Sequence, residues 1–164
     1  MIGRRFLFLA GLGGAVLASC GPKFRTYSGP PVTLIEVHKA DRKMYLFSNG
    51  TLLKSYRIKL GGNTIGHKQF EGDQKTPEGA YFITHRNPNS AYHLSLGISY
   101  PNQADRAFAK SKGKRPGGDI FIHGGPNEWV TRRDWTAGCI AVTDREMEEI
   151  YAMVKPSVPI NIFP

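Results

Sequence analysis

Cys139 is the only cysteine after position 20 and lies sixteen residues downstream of His123, within IFIHGGPNEWVTRRDWTAGCIAVTD (residues 120–144). A thiol between Gly138 and Ile140, following a His-Gly-Gly-Pro turn, suits nucleophilic chemistry, because an imidazole within hydrogen-bond reach can take the thiol proton. Such a partner is expected to hold the thiol below its free pKa of about 8.5. Gly138 would let the chain bend so that backbone N–H groups point at a developing oxyanion. Taken alone, Cys139 reads as a small buried hydrophobe. With His123, the glycines and an export signal, catalysis is the better reading.

These residues need elements to hold them. His123 ends the apolar run DIFIHG (119–124), and Cys139 opens CIAVT (139–143), so both read as strand ends. VTLIEVHK (32–39), GAYFITHR (79–86) and YHLSLGISY (92–100) are further strand candidates, and PINIF (159–163) reads as an edge strand. Asn49-Gly50 divides the apolar stretch 43–60, a strong hairpin signal because a type I′ turn needs positive φ at both central positions. One helix is well supported: Thr143 and Glu146 make a capping-box pattern, Met147, Ile150, Tyr151 and Val154 recur at helical spacing, and Pro156 stops the run. A shorter helix near 104–110 would precede a basic loop, KSKGKRPGG (110–118). The fold class expected is mainly β with one clear helix, an α+β domain.

The chain has 164 residues, two cysteines and a formal net charge of +9. Arg4 and Arg5 precede a short apolar run (6–18), too short for a membrane span of roughly 20 residues. Leu17-Ala18-Ser19-Cys20 follows, and resembles a bacterial lipobox whose cysteine is lipidated after cleavage. The alternatives are an ordinary signal peptide with a chance cysteine, or twin-arginine export on the strength of Arg4-Arg5. The expected organisation is a signal peptide (1–19), a Gly/Pro-rich tether (20–31) and one domain (32–164), exported to the periplasm and anchored through Cys20. Gly21 favours the outer membrane by resemblance to enterobacterial lipoproteins. With Cys20 lipidated, Cys139 has no disulfide partner, and an unpaired thiol in an oxidising compartment needs a reason. The basic excess suits an anionic polymer or lipid, or only a solvated surface. Export and the lack of any nucleic-acid motif argue against nucleic acid.

TPEG (76–79), IHGG (122–125) and TAGCIAVT (136–143), in this order, resemble the YkuD-type L,D-transpeptidase domain. Over roughly residues 32–163 the element order is similar too. ISYPNQADRA (98–107) and GCIAVTDREMEEIY (138–151) are most similar to its YafK-like subgroup. The resemblance implies a β-sandwich or mixed-sheet domain that acts on peptidoglycan stem peptides, with no metal and no organic cofactor. It implies Cys139 as the acylated nucleophile, His123 as general base and acid, the backbone at Gly124 as the group that orients the imidazole, and an oxyanion hole around Gly138 and Cys139. Two departures from the family pattern are Ala137, where many relatives carry histidine, and Ala141, where many carry Arg or Asn.

His93 and Tyr92, on the strand expected over 92–100, are candidate substrate-binding residues, as is Thr136. His93 reads equally as a polar-face histidine. Asp73 and Thr76 are turn formers or substrate contacts. Trp129 and Trp135 would form a lid over the acyl-enzyme or simply anchor their segment. His38, His67 and His85 lack metal-ligand spacing and read as surface positions. A hydrolase on the same site, or a cell-wall-binding protein without activity, are the rival functions. Oligomeric state is not encoded in any visible pattern.

Overall fold

The computed structural model describes residues 23–125 and 133–164. Eight strands and two helices follow one another as β1 (Leu34–His38), β2 (Lys43–Ser48), β3 (Thr51–Arg57), β4 (Gly79–Asn87), β5 (Ser95–Ile98), α1 (Gln103–Ser111), β6 (Phe121–His123), β7 (Ile140–Ala141), α2 (Asp144–Met153) and β8 (Pro159–Phe163). All eight strands belong to one mixed sheet of order β3-β2-β1-β8-β4-β5-β6-β7. The pairs β1/β8 and β6/β7 are parallel; the others are antiparallel.

The sheet curls back on itself. Beyond β3, Lys59 exchanges both backbone hydrogen bonds with Ala141 of β7, each 2.8 Å, and Gly61 bridges to Thr136. The two ends of the strand order therefore meet, which satisfies an edge that would otherwise expose unpaired backbone groups. The interior is filled by aliphatic side chains such as Ile35, Leu46, Leu60, Ile83, Ile122 and Ile160, each fully buried. Burying each contributes roughly 1.5–3 kcal/mol.

The hairpin turn forms where expected, with φ of 47° at Asn49 and 82° at Gly50. Helix α2 starts at the Thr143–Glu146 capping box and buries Met147, Ile150 and Tyr151. It packs on β5 and β6, the strands that lead to His123.

Two expectations are corrected. PINIF is not an edge: β8 lies between β1 and β4. Pro159 is tolerated because it occupies the first strand position, where a missing N–H costs least, while Ile160 and Ile162 point into the core. The strand expected over 92–100 shrinks to Ser95–Ile98, all four residues buried. His93, at φ 67°, sits in a turn ahead of it. The short helix expected near 104–110 forms as α1, started by an Asn102–Asp105 capping box.

Candidate active site

The parallel register of β6 and β7 places Ile122 opposite Ile140 and His123 opposite Ala141. Residues two apart on a strand share a face, so Cys139, just before β7, projects to the same side as His123. Both line one cavity of about 290 Å³, together with Tyr92, Ser95, Asp119 and Phe121.

The thiol is half-buried between two backbone groups. Phe121 N–H donates to Sγ at 3.4 Å, and Sγ donates to the Asp119 carbonyl at 3.5 Å. The turn that presents it is built by Thr136, whose hydroxyl accepts from Gly138 N–H at 3.1 Å and donates to the Cys139 carbonyl at 2.8 Å. Gly138 adopts φ 131°, and a Cβ there would lie 2.6 Å from the Lys75 carbonyl oxygen. Only glycine fits both that conformation and that approach.

His123 is 3% exposed and boxed by aromatic rings. Tyr92 stacks on it, with ring centroids 4.6 Å apart, and Trp135 meets it edge-on at 5.7 Å. Nδ1 donates to the Gly124 carbonyl, which leaves Nε2 as the basic nitrogen. Gly124 is fixed in turn, because its N–H donates to Leu94 and a Cβ would lie 2.5 Å from Asp144 Oδ1. Asp144, at the start of α2, also accepts from Gly125 N–H at 3.2 Å. The helix thereby holds the turn after the histidine. Nothing in the one-dimensional pattern distinguished Asp144 from an ordinary first-turn acid.

Burial sets the resting charges. It pushes the Cys139 thiol above its ordinary value, with Asp119's charge adding and Phe121 N–H and Lys68 opposing; it pushes His123 below its own, against the Gly124 contact. The expectation of a thiol held below the free value is therefore corrected. Desolvation disfavours thiolate and imidazolium alike, so the resting pair is neutral.

Other expectations fall differently. Tyr92 lines the cavity, but His93 turns its Nε2 to Glu148 Oε1 of α2, at 3.1 Å. Thr136 is buried, with its hydroxyl engaged by Gly138 and Cys139 as above, so it faces the turn rather than the cavity. For the same reason the Gly138 N–H is not turned towards an oxyanion. Asp73 closes a turn, accepting from the Gln69, Phe70 and Lys75 N–H groups. Thr76 accepts from Gly61 N–H. Trp135 belongs to the wall of the histidine box, while Trp129 and Cys20 lie outside the described residues. His67 is not a free surface residue: it accepts from Glu78 N–H and contacts Asp105 Oδ1 at 3.0 Å. Among the described residues no group of His, Cys, Asp and Glu is arranged to hold a metal ion.

Comparison with known proteins decides what this arrangement belongs to. Residues 32–162 match YkuD, the L,D-transpeptidase catalytic domain. The chain belongs to that family. It is also 32% identical over 149 residues to the protein of Escherichia coli strain K12 named "Putative L,D-transpeptidase YafK"; the match covers 83% of this chain and 55% of YafK. Among solved structures it is similar to the helical cell shape determining protein Pgp2 of Campylobacter jejuni (TM-score 0.63, 28% identity, 83% of this chain and 49% of that one). It also shares its fold with an L,D-transpeptidase of Mycobacterium smegmatis (TM-score 0.55, 13% identity, 80% of this chain and 58% of that one). The chain thus spans about half the length of the relatives it matches. In this YkuD domain Ala137 is exposed and Ala141 buried, with the Ala141 methyl beneath the Gly125 turn.

Proposed function

We propose that this chain is a cysteine L,D-transpeptidase acting on peptidoglycan stem peptides. The observation that supports it is the placement of His123 at the end of β6 and of Cys139 just ahead of the parallel β7, both lining one cavity.

In this reading His123 Nε2 takes the thiol proton as Sγ attacks the carbonyl at the L-centre of the third stem residue. A neutral pair suits such a step, since the imidazole is available as a base without a standing ion pair. The charge that develops on the carbonyl oxygen is met by the Cys139 N–H, the backbone donor beside Sγ. His123 then returns the proton to the departing amine of the terminal D-residue, leaving a thioester. An incoming amine attacks the thioester, gives its proton to His123, and leaves as a new amide while the thiol is restored. Water in place of the amine would make the same site a carboxypeptidase.

The chain is further proposed to be exported and tethered to the outer membrane through a lipidated Cys20, after loss of residues 1–19. From Lys23 onward the segment lies against the domain, as Arg25 pairs with Glu148 at 2.9 Å and Phe24 packs towards Tyr151.

Intact mass after exposure to a carbapenem tests the nucleophile. We expect one covalent adduct on the parent chain and none on Cys139→Ala; an unmodified parent would remove the catalytic reading. Muropeptide analysis of sacculi incubated with the protein then separates transfer from hydrolysis.

A further inference from the structure

The basic stretch KSKGKRPGG (110–118), which leads from the end of α1 towards β6, carries four cations and no acid. Such a run is commonly a loose, solvated loop, but this one is held along its length. The Gly113 and Lys114 N–H groups donate to the Lys110 and Ala109 carbonyls, at 3.0 and 2.9 Å, and close the end of α1. The Arg115 carbonyl accepts from Glu71 N–H and the Pro116 carbonyl from the Tyr100 hydroxyl, each at 2.9 Å. Its side chains are placed as well. Phe108 stacks with Phe70, ring centroids 5.9 Å apart, and each ring carries an ammonium: Lys112 Nζ lies 5.8 Å from the Phe108 centroid and Lys114 Nζ 4.4 Å from that of Phe70. These cation–π contacts hold two like charges side by side in spite of their repulsion. Arg115 adds a third, paired with Glu71 at 3.3 Å where both side chains are largely exposed, and so exposed a pair neutralises little. Among the described residues Lys112 and Lys114 make no ion pair.

The place of this cluster in the fold narrows the partner. Asp119, four residues beyond Arg115, lines the cavity that holds Cys139 and His123, so the cluster lies off one end of that cavity. The N-terminal segment meets the domain at the other end: Lys23 donates to the Pro88 carbonyl at 2.9 Å, next to Asn87 of the cavity wall. Helix α1 is fixed near the start of β4, where the Tyr81 hydroxyl donates to Asp105 Oδ2 at 3.0 Å, whereas Pro88 follows the end of that strand. Tyr81 and Pro88 are seven residues apart, roughly 23 Å of strand. A membrane reached through the residues before Lys23 therefore lies away from the cluster. Phe108, 40% exposed, also sits beneath an ammonium and is not the apolar wedge that a lipid surface calls for. A polymer with one unit in the cavity, by contrast, can run on over the cluster.

We propose that Lys112, Lys114 and Arg115 form an exosite for the anionic polymer itself, holding carboxylates of stem peptides that neighbour the reacting one, so that the enzyme prefers polymeric strands to isolated stems. The proposal rests on the transpeptidase reading and adds to it a preference for substrate size that the cavity alone does not supply. Each contact is exposed, weak and screened by salt. Several act together because a single strand carries many carboxylates.

The test uses the full chain as the cell produces it, kept in neutral detergent. The parent is set beside K112Q/K114Q/R115Q and a control, K43Q/R57Q/K155Q, that loses the same charge from exposed positions elsewhere. Sedimentation with purified sacculi reads binding without any chemistry. The first triple should bind about tenfold more weakly than the parent at low salt, and the gap should close in about 1 M salt. The control should bind like the parent. Turnover on sacculi should fall by a similar factor in the first triple, while kcat/KM for a soluble stem tetrapeptide stays at the parent value. Equal losses in both triples, sacculus binding unchanged in the first, or an equal fall on the soluble tetrapeptide each overturn the proposal. So does a preference for phosphatidylglycerol over phosphatidylcholine vesicles that the first triple abolishes while its sacculus binding is intact, since that marks a membrane surface. Failure of the transpeptidase reading looks different: neither carbapenem adduct nor turnover on either substrate, in a chain whose sedimentation still depends on the three cations.

Discussion

Cys139 and His123 titrate in directions that shape both reactivity and stability. A thiol raised by burial should be alkylated by iodoacetamide with an inflection above the ordinary thiol range of about 8.5, and a lower inflection would contradict the neutral resting pair. For stability the signs are opposite in the two cases. The folded histidine binds its proton more weakly than the unfolded one, so its contribution is intact above about pH 6.5 and is lost as pH falls below that value. The folded cysteine holds its proton more tightly, so its contribution is present below the unfolded thiol pKa and is lost as pH rises above it. Urea midpoints measured from pH 5 to pH 10 should fall at both ends, and Cys139→Ala should remove the alkaline fall. Tyr92 and His93 also separate at this scale. Tyr92→Ala removes a ring stacked on the base and should lower kcat by roughly 10-fold. His93→Ala breaks the Glu148 contact and should shift stability more than turnover. The opposite pattern would mean that His93, not Tyr92, serves the substrate.

The turn ahead of β7 and the helix after it do different work. Thr136 ties Gly138 N–H and the Cys139 carbonyl into one unit, so Thr136→Val keeps the volume and removes both bonds. We expect a loss of about 2 kcal/mol in stability together with slower acylation by a carbapenem. Gly138→Ala should be worse, because φ 131° and the Lys75 carbonyl both oppose a side chain, at a cost of at least about 2 kcal/mol. The segment 61–79 that supplies Lys75 is itself held by Lys39. This lysine is 2% exposed and donates to Glu78 Oε1 and to the Gly66 and Thr76 carbonyls. Removing one partner of such a pair leaves the other charge uncompensated, so Lys39→Met should destabilise by about 3 kcal/mol. Chemical denaturation reads each of these.

At the scale of the molecule, the geometry around Cys139 depends on closure of the sheet. Lys59 bonds to Ala141 of β7, Leu60 accepts from the Trp135 and Thr136 N–H groups, and Asp134 reinforces the seam by accepting from Leu60 N–H at 2.8 Å and pairing with Arg42 at 2.9 Å. Asp134→Ala orphans the Leu60 N–H and the Arg42 charge. Hydrogen exchange should then quicken at the Lys59 and Ala141 amides first, while those of β1 and β8 stay protected. Uniform loss of protection would show that the seam and the rest of the sheet unfold as one unit.

Much of this was legible in the order of the residues. The hairpin at Asn49-Gly50 and the capped helix α2 are local signals, set by turn conformations and capping hydrogen bonds within a few positions. The family follows from TPEG, IHGG and TAGCIAVT in their order. Pairing between distant segments decided the rest. PINIF became central because β1 and β4 present it with backbone partners on both sides, and a five-residue alternation carries no information about that. His93 turned to Glu148 and Asp144 reached Gly125 because α2 folds back on β5 and β6, contacts 55 and 19 residues apart along the chain. The resting charge of the pair was likewise beyond the sequence, since a pKa depends on desolvation, and burial exists only once the sheet has closed around the thiol and the imidazole.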